Sequence, residues 1–202
     1  MTAPGAAEGA PEAALRGFGG GVTMTGSERI FWRNNVDIVT YPDPCLLKEA
    51  ADLEDMDDET RRLASEMLES MYRGRGIGLA APQVGISSKL IVVNLAASSE
   101  EGEEIVLANP VVIEQDSETE EQEEGCLSLP GITGTVPRWR AVAVEGIDLE
   151  GRERRIEAEG LFARVLQHEI DHLEGVLFYT KVSPVDRAAI KPKLKELKEK
   201  VR

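Results

Sequence analysis

Two histidines, His168 and His172, lie four residues apart and are the only histidines in the 202-residue chain. Side chains at positions i and i+4 of a helix lie one above the other on the same face, so two imidazoles at this spacing can share a cation. Glu169 directly follows the first histidine and completes the pattern HExxH, in which the carboxylate acts on a water molecule that the cation activates. Any imidazole-based chemistry in this chain therefore involves this segment.

The HExxH pattern has an alternative interpretation, a pair of hydrogen-bonded core histidines. That interpretation leaves Glu169 unexplained, because burying a carboxylate is costly unless it is paired. On a helical wheel the histidines fall on the same side as Leu161 and Val165, so we predict that they point inward. The wheel places a polar strip on the opposite side, formed by Ala163, Gln167, Asp171 and Glu174.

Cys126 is the candidate for a third metal ligand, since an open catalytic site of the zinc type has three protein ligands and leaves one position for water. It lies in a short apolar run, and the preceding Gly125 permits close approach of another backbone or a ligand. A free cysteine is also common as a small buried hydrophobe, so the thiol alone leaves both interpretations open. Pairing with Cys45 is a further option, but two cysteines in a chain of this length are more typical of reduced thiols in a cytosol.

Helical spacing extends over residues 161–174 and stops before Gly175, a residue typical of helix C-termini. An earlier amphipathic helix is predicted to begin at Asp57 or Asp58, which are good N-caps, and to end before Gly74. Between the two helices, five short β-type runs predict an antiparallel or mixed sheet, at residues 90–93, 105–108, 111–113, 141–144 and 154–158. This order of elements favours an α+β fold.

The composition excludes two broad classes of protein. No stretch approaches the roughly 18 consecutive apolar residues that a membrane-spanning helix requires, so we expect a soluble protein without a membrane partner. The formal net charge of −14 would repel a phosphate backbone, so we do not expect direct, general binding to nucleic acid. With 42% hydrophobic residues, the chain can build one domain with a core of its own.

Three segments are predicted along the chain. Residues 1–28 are rich in Ala and Gly and cannot bury enough apolar surface to offset ordering entropy, so we predict a disordered extension without the pattern of a secretory signal or transit peptide. Residues 29–186 form a catalytic domain, and residues 187–202 form a basic C-terminal helix or tail. Within the domain, the acidic run at residues 114–124 is interpreted as a solvated hairpin or loop, and the Gly- and Pro-rich residues 76–85 as a shaped loop.

Three motifs follow one another in order: GIGLAAPQ at residues 76–83, EGCLS at residues 124–128 and HEIDH at residues 168–172. Together they resemble the signature of the peptide deformylase family, and YPDP at residues 41–44 resembles the start of that family's domain. The resemblance covers roughly residues 36–180. It implies a compact α+β domain with a mixed or antiparallel sheet around a central, buried HExxH helix.

The family resemblance implies a hydrolase that removes the N-formyl group from N-formylmethionyl nascent polypeptides and releases formate. Its cofactor would be one divalent metal ion, Fe(II) with Zn(II) or Ni(II) as alternatives, held by Cys126, His168 and His172. Its partner would be the formylated nascent peptide. The basic charge of residues 187–202, and not the resemblance, points to the ribosome as a further partner, while the alternative interpretation of such a helix is a solvated face. The implied location is the cytoplasm of a bacterium.

The resemblance also implies roles for five further residues. Glu169 would act as the general base that moves protons between the attacking water and the departing amine. Gln83 and the backbone N–H of Leu127 would donate hydrogen bonds to the oxygen on which negative charge develops. Ile77 and Gly78 would bind the substrate, since a glycine-rich segment lets an extended peptide main chain come close.

Two alternatives to a deformylase stay open at this point. A zinc-dependent peptidase shares the HExxH helix but usually recruits a third His or Glu downstream, and here no His follows His172 while Glu174 lies only two residues beyond it. A ribosome-associated metal-binding module without catalysis would need neither Glu169 nor Gln83. Both residues are present, which favours hydrolysis.

Overall fold

The computed structural model describes residues 36–96 and 103–200, so the extension predicted at residues 1–28 lies outside the described ranges. The described residues contain three α-helices and seven β-strands, in the chain order α1 (Asp58–Arg73), β1 (Gly78–Ala80), β2 (Leu90–Val93), β3 (Ile105–Gln115), β4 (Thr119–Gly125), β5 (Thr133–Trp139), β6 (Ala141–Ile147), β7 (Glu153–Glu159), α2 (Gly160–Leu173) and α3 (Pro184–Lys200). Short 3-10 turns occur at Pro44–Leu47, Ala81–Val84 and Phe178–Thr180.

The strands form two sheets. A five-stranded sheet has the order β1-β2-β3-β6-β7, and β4 pairs with β5 in a separate two-stranded sheet. All of these pairs are antiparallel, and one isolated parallel bridge joins Ala51 and Ser88. The predicted α+β class is confirmed, and β1 and β4 are both edge strands.

The five-stranded sheet is covered by a helix on each face. Along β2, Ile91 and Val93 pack into the apolar cluster that includes α2, whereas Leu90 and Val92 pack into the cluster that includes α1. Successive residues of a strand point to opposite faces, which explains why β2 is apolar and fully buried throughout. The HExxH helix α2 contacts strands of both sheets and is therefore central in the fold.

Helix α1 begins where the sequence indicates. The side chain of Asp57 accepts a hydrogen bond from the backbone N–H of Thr60 at 2.8 Å, which satisfies one of the N–H groups that a first helical turn leaves unpaired. The helix buries Leu63, Met67 and Met71, which recur every four residues and so share one face. This buried face fixes α1 on the sheet.

Strand β3 is one strand where the sequence predicts two, at residues 105–108 and 111–113. Asn109 and Pro110 between them resemble a turn signal, and Asn109 does adopt a positive φ of 50°. The strand nevertheless continues, because its pairing with β6 shifts register here, and an irregular ladder accommodates a proline that has no N–H to donate.

Two predicted loops are more regular than expected. The acidic run at residues 114–124 belongs to a hairpin, but β4 pairs with β5 along its whole length, from Thr119 opposite Trp139 to Gly125 opposite Thr133. Glutamate has a low strand propensity, so packing against the buried side of β5 decides the structure rather than local preference. The predicted loop at residues 76–85 likewise contains β1 and a 3-10 turn.

Helix α3 contains most of the predicted basic tail, and it begins at Pro184, three residues before the predicted boundary. Its side chains Ile190 and Leu197 are buried in a third apolar cluster, together with Phe178. The helix therefore packs on the domain. The division of the chain into residues 1–28, 29–186 and 187–202 stays a prediction. Among the described helices, none is apolar and long enough to cross a membrane.

Replacing Met67 by alanine should destabilise the fold, because Met67 is completely buried between α1 and the sheet. Truncating a buried methionine removes apolar contacts and leaves a cavity, which lowers the free energy of unfolding by about 2–5 kcal/mol. Urea unfolding followed by circular dichroism measures the change. The control is Glu69→Ala on the exposed side of the same helix, which should stay within about 0.5 kcal/mol of the parent protein. Equal effects of the two substitutions would contradict the assigned packing.

Candidate metal centre

Three side chains that can ligate a metal ion come together at one point. Cys126 follows the last residue of β4, and His168 and His172 stand about one turn apart on α2. One ligand atom from each residue lies within 4.8 Å of the others. The Nε2 atom of His172 is 3.2 Å from Sγ of Cys126, and the centroids of the two imidazole rings are 5.0 Å apart.

This donor set fits a divalent transition metal. A thiolate and two imidazoles are ligands that Zn(II) and Fe(II) accept, and three protein ligands leave a further position for water or substrate. Burial lowers the pKa of His172 well below its ordinary value, and the neighbouring His168 lowers it further. The imidazole of His172 is therefore neutral, as a metal ligand must be.

A buried carboxylate, Glu124, lies directly behind these residues. Its Oε2 is 2.9 Å from Nδ1 of His168. Arg138 donates to both carboxylate oxygens, from Nε to Oε1 and from Nη2 to Oε2, at 2.9 Å each. Arg164 adds a donor at 2.7 Å from Oε1. Because Nδ1 of His168 faces Glu124, the Nε2 atom is the one left to bind a metal.

The charge of Glu124 determines the state of His168. Burial alone would raise the pKa of Glu124, but the hydrogen bonds from Arg138 and His168 outweigh burial and hold this pKa far below its usual range. The carboxylate is therefore ionised at neutral pH and accepts the Nδ1–H of the imidazole. Such a partner fixes the tautomer and makes the opposite nitrogen a better ligand.

The composition of residues 114–124 does not reveal this role of Glu124, because a run of acidic residues predicts a solvated segment. Along β4, Glu121 and Glu123 are exposed, whereas Glu124 is buried. Cys126 follows the end of β4, and both side chains contact α2, Glu124 at His168 and Cys126 at His172. The alternation along β4, read together with the adjacent cysteine motif, is the signal that identifies Glu124.

Apart from the exposed Glu174, the polar strip of α2 is buried rather than solvated, and residues of β5 supply several of its partners. Arg138 Nη1 donates to Asp171 at 2.5 Å, and Lys181 Nζ donates to the same carboxylate at 2.6 Å. The side-chain amide of Gln167 accepts from the N–H of Trp139 at 3.1 Å and donates to its carbonyl at 3.0 Å. Residues outside the helix thus form hydrogen bonds with polar groups that the helical wheel places on the side away from the histidines.

Glu169 is 3% exposed, and its Oε2 has no hydrogen-bond partner among the described residues. Burial raises the pKa of this carboxyl to about 7. A Cβ atom at Gly78 would lie 2.5 Å from Oε1 of Glu169 and 2.9 Å from Cγ1 of Val165, so only glycine leaves this space free. A carboxyl that exchanges a proton near neutral pH suits general acid–base catalysis.

Gln83 is oriented by its own 3-10 turn. Its Oε1 accepts the backbone N–H of Ala80 at 2.7 Å, and its Nε2 donates to Sγ of Cys126 at 3.4 Å. The amide donor is therefore directed to the ligand cluster. Leu127, the other predicted oxyanion donor, directly follows Cys126 and is half-buried.

A cavity of about 550 Å³ contains nearly all of the predicted site. It is lined by seven of the eight residues, namely Ile77, Gly78, Gln83, Cys126, Leu127, His168 and Glu169. The eighth, His172, is 1% exposed and does not line the cavity. The edge strands β1 and β4 both contribute to the wall, and a peptide that enters the cavity therefore meets edges of both sheets.

Replacing Glu124 by glutamine should weaken metal binding, because a neutral amide is a poorer partner for His168. Loss of such a partner lowers metal affinity about 10- to 100-fold. Arg138 and Arg164 would lose their shared counter-charge, which should cost about 3–5 kcal/mol of stability. Competition for Zn(II) with a chromophoric chelator measures the affinity, and thermal unfolding measures the stability.

The control for this substitution is Glu121→Gln, on the exposed side of the same strand. It removes the same charge from the chain and should change neither quantity. If Glu124→Gln bound metal as tightly as the parent protein, the carboxylate would have no part in orienting His168.

Known proteins resemble this chain over most of its length. A family model described as polypeptide deformylase matches residues 36–188. The peptide deformylase of Thermodesulfovibrio yellowstonii is 45% identical over 163 residues, which are 81% of this chain and 98% of that protein. The peptide deformylase of Neisseria meningitidis is 43% identical over 161 residues, 80% of this chain and 95% of the relative.

Solved structures agree with the fold. A crystal structure of a plant peptide deformylase superposes with a TM-score of 0.82 at 38% identity, covering 84% of this chain and 92% of that one. A Plasmodium falciparum peptide deformylase gives a TM-score of 0.77 at 40% identity, covering 81% and 95%. The resemblance carried by the three motifs is thereby confirmed, and the chain belongs to the polypeptide deformylase family.

Proposed function

We propose that this chain is a hydrolase that removes the N-formyl group from formylated nascent polypeptides and releases formate. The observation that carries the proposal is the carboxyl of Glu169, which is buried, has one oxygen without a partner among the described residues, and lies beside the cysteine and histidine ligands. Metal binding needs no such group, whereas amide hydrolysis needs one to move protons. Membership of the family supports the same reaction.

Cys126, His168 and His172 hold one divalent metal ion in this proposal, Fe(II) with Zn(II) or Ni(II) as alternatives. The bound ion supplies Lewis-acid activation of the formyl carbonyl and of the attacking water. The thiolate of Cys126 is a softer ligand than a carboxylate, and it makes the site sensitive to oxidation. Metal analysis of protein purified without oxygen identifies the ion, and full activity of metal-free protein would contradict the assignment.

Glu169 moves the protons of the reaction. Because burial raises the pKa of Glu169 to about 7, its carboxylate can take a proton from the attacking water and then donate it as a carboxylic acid. The recipient is the departing amine, which must be protonated because an amide anion is a very poor leaving group. Gly78 provides the space in which this carboxyl acts.

Gln83 and the backbone N–H of Leu127 stabilise the oxygen on which negative charge develops. The amide of Gln83 is held by Ala80, so its Nε2 is already directed to the ligand cluster when the charge appears. Ile77 and Gly78 bind the peptide main chain, because they line the cavity next to Glu169 and the glycine allows close approach. The substrate thus lies against the edge of β1.

A zinc-dependent peptidase is less well supported. Such an enzyme recruits its third ligand downstream of the HExxH helix, but Glu174 is exposed and does not join the ligand cluster. Cys126, from the turn after β4, takes that place. A binding module without catalysis would leave Glu169 as a buried carboxyl that costs free energy and serves no reaction.

The ribosome is a further partner in this proposal, through residues 187–202. Lys191, Lys195 and Lys200 of α3 are exposed, and basic side chains suit a surface rich in phosphate. In this proposal the reaction takes place in the bacterial cytoplasm, where nascent chains emerge. The test is co-sedimentation with ribosomes of a variant in which these three lysines are changed to glutamate. If the variant bound ribosomes as well as the parent protein does, the proposed contact would be wrong.

Replacing Glu169 by glutamine should strongly slow formate release while the metal stays bound. Glutamine has nearly the same shape but cannot carry the proton, so kcat should fall by about 10²- to 10⁴-fold. The assay is anaerobic hydrolysis of a formyl-Met tripeptide by metal-loaded protein, with formate and bound metal measured in the same sample.

Two controls accompany this assay. The acetyl-Met tripeptide should not be hydrolysed, and Glu174→Gln at the exposed end of α2 should keep the parent rate. No formate release by the metal-loaded parent protein would refute the proposed reaction. Full activity of Glu169→Gln would refute only the role of this carboxyl.

A further inference from the structure

Arg75 lies at the rim of the cavity that contains the ligand cluster, on the segment that joins α1 to β1. Its side chain is exposed, and no carboxylate of the described residues forms an ion pair with it. The other arginine of the cavity, Arg164, already donates to Glu124 and to the carbonyl oxygens of Val136 and Glu120. Among the described residues that line the cavity, Arg75 therefore carries the guanidinium that a bound peptide can engage.

The backbone of Arg75 adopts a conformation that side chains rarely accept. Its φ of 57° lies in the left-handed region, which glycine favours. The flanking positions 74 and 76 are glycines, yet the position between them carries a long charged side chain. The N–H groups of Arg75 and Gly76 donate to the carbonyls of Tyr72 and Met71, each at 2.9 Å, and hold this conformation. A disfavoured conformation retained at the rim of a cavity suggests a use for the side chain.

The position of Arg75 along the cavity determines which substrate residue it meets. Gly78 adjoins Glu169, where the formyl group must react. Residues 75–78 line the cavity, whereas residues 79–80 are fully buried, so an extended peptide leaves past Arg75. Arg75 lies three positions before Gly78, in the turn that follows α1 rather than in an extended strand. Its side chain is long and flexible, so a formylated first residue beside Gly78 leaves the second and third residues within reach of the guanidinium.

The negative charge of the whole chain means that the positive charge of Arg75 favours only those acidic peptides that contact it. A net charge of −14 repels acidic peptides. A guanidinium at the rim offsets this repulsion only for a carboxylate that contacts it. On the β4 side of the cavity, the carboxylate of Glu124 is neutralised by Arg138 and Arg164, and that of Glu123 accepts a hydrogen bond from Thr133. Neither carboxylate forms an ion pair with Arg75.

We propose that Arg75 is a specificity-determining residue, which contacts an acidic side chain at the second or third residue of the formylated peptide and raises kcat/KM for such substrates. The proposal rests on the proposed deformylase reaction. It concerns residues of the substrate that take no part in the bond cleavage.

The test compares formyl-Met peptides that carry aspartate or lysine at the second or the third residue, with formyl-Met-Ala-Ala as the reference. All are C-terminal amides, so the aspartate is their only carboxylate. Metal-loaded parent protein should prefer aspartate to lysine by about two- to five-fold in kcat/KM at one of these positions, the range that an exposed ion pair provides. The preference should shrink in 0.5 M salt, because exposed charges are screened over a few ångströms there.

Three substitutions at Arg75 separate charge from backbone effects. Arg75→Lys should keep the preference for aspartate, and Arg75→Glu should reverse it. Arg75→Gly should remove the preference without backbone strain, since glycine accepts the φ of 57°. The control is Lys48→Glu, which changes the net charge as Arg75→Glu does, at an exposed residue that does not line this cavity.

The outcomes distinguish this inference from the reaction on which it rests. Failure of the parent protein to deformylate even the reference peptide would overturn both. The parent protein could instead deformylate the reference peptide but show the same ratio of kcat/KM for aspartate and lysine peptides as Arg75→Gly and Arg75→Glu. That result would overturn only the role of Arg75. A shift of the ratio in Lys48→Glu as large as that in Arg75→Glu would assign the effect to net charge and also overturn it.

Discussion

The buried contacts of Glu124 join parts of the chain that come from separate elements. The carboxylate belongs to β4, Arg138 belongs to β5, and Arg164 and His168 belong to α2. A buried charge is tolerated only when its partners are in place, since an unpaired one costs about 3–5 kcal/mol. The position of the two-stranded sheet on α2 and the orientation of the first histidine therefore depend on the same contacts.

Features with a strong local pattern could be predicted from the sequence. The strand predicted at residues 90–93 coincides with β2, and the helix predicted at residues 161–174 differs from α2 by one residue at each end. Helix periodicity, capping residues and runs of β-branched residues depend on a few neighbouring positions, so they can be recognised in the sequence alone. The spacing of His168 and His172 is of this kind, because a single helix sets it.

Features that depend on distant partners could not be predicted in this way. Glu124 and Arg164 are 40 positions apart, and nothing within the acidic run indicates that one of its carboxylates is neutralised from so far away. Asp171 is a similar case, because its burial depends on Arg138 from β5. The length of β3 depends on a register shift against β6, which is a property of the pair of strands and not of either sequence.

The ligand cluster connects two structural units, since Cys126 follows β4 while both histidines belong to α2. A metal ion bound there would act as a crosslink between the two-stranded sheet and the central helix. An ion that binds only the folded chain stabilises it by mass action, by about 2.7 kcal/mol at a free concentration one hundred times the dissociation constant. The lifetime of the folded enzyme in a cell, and not only its turnover, would then follow the supply of metal.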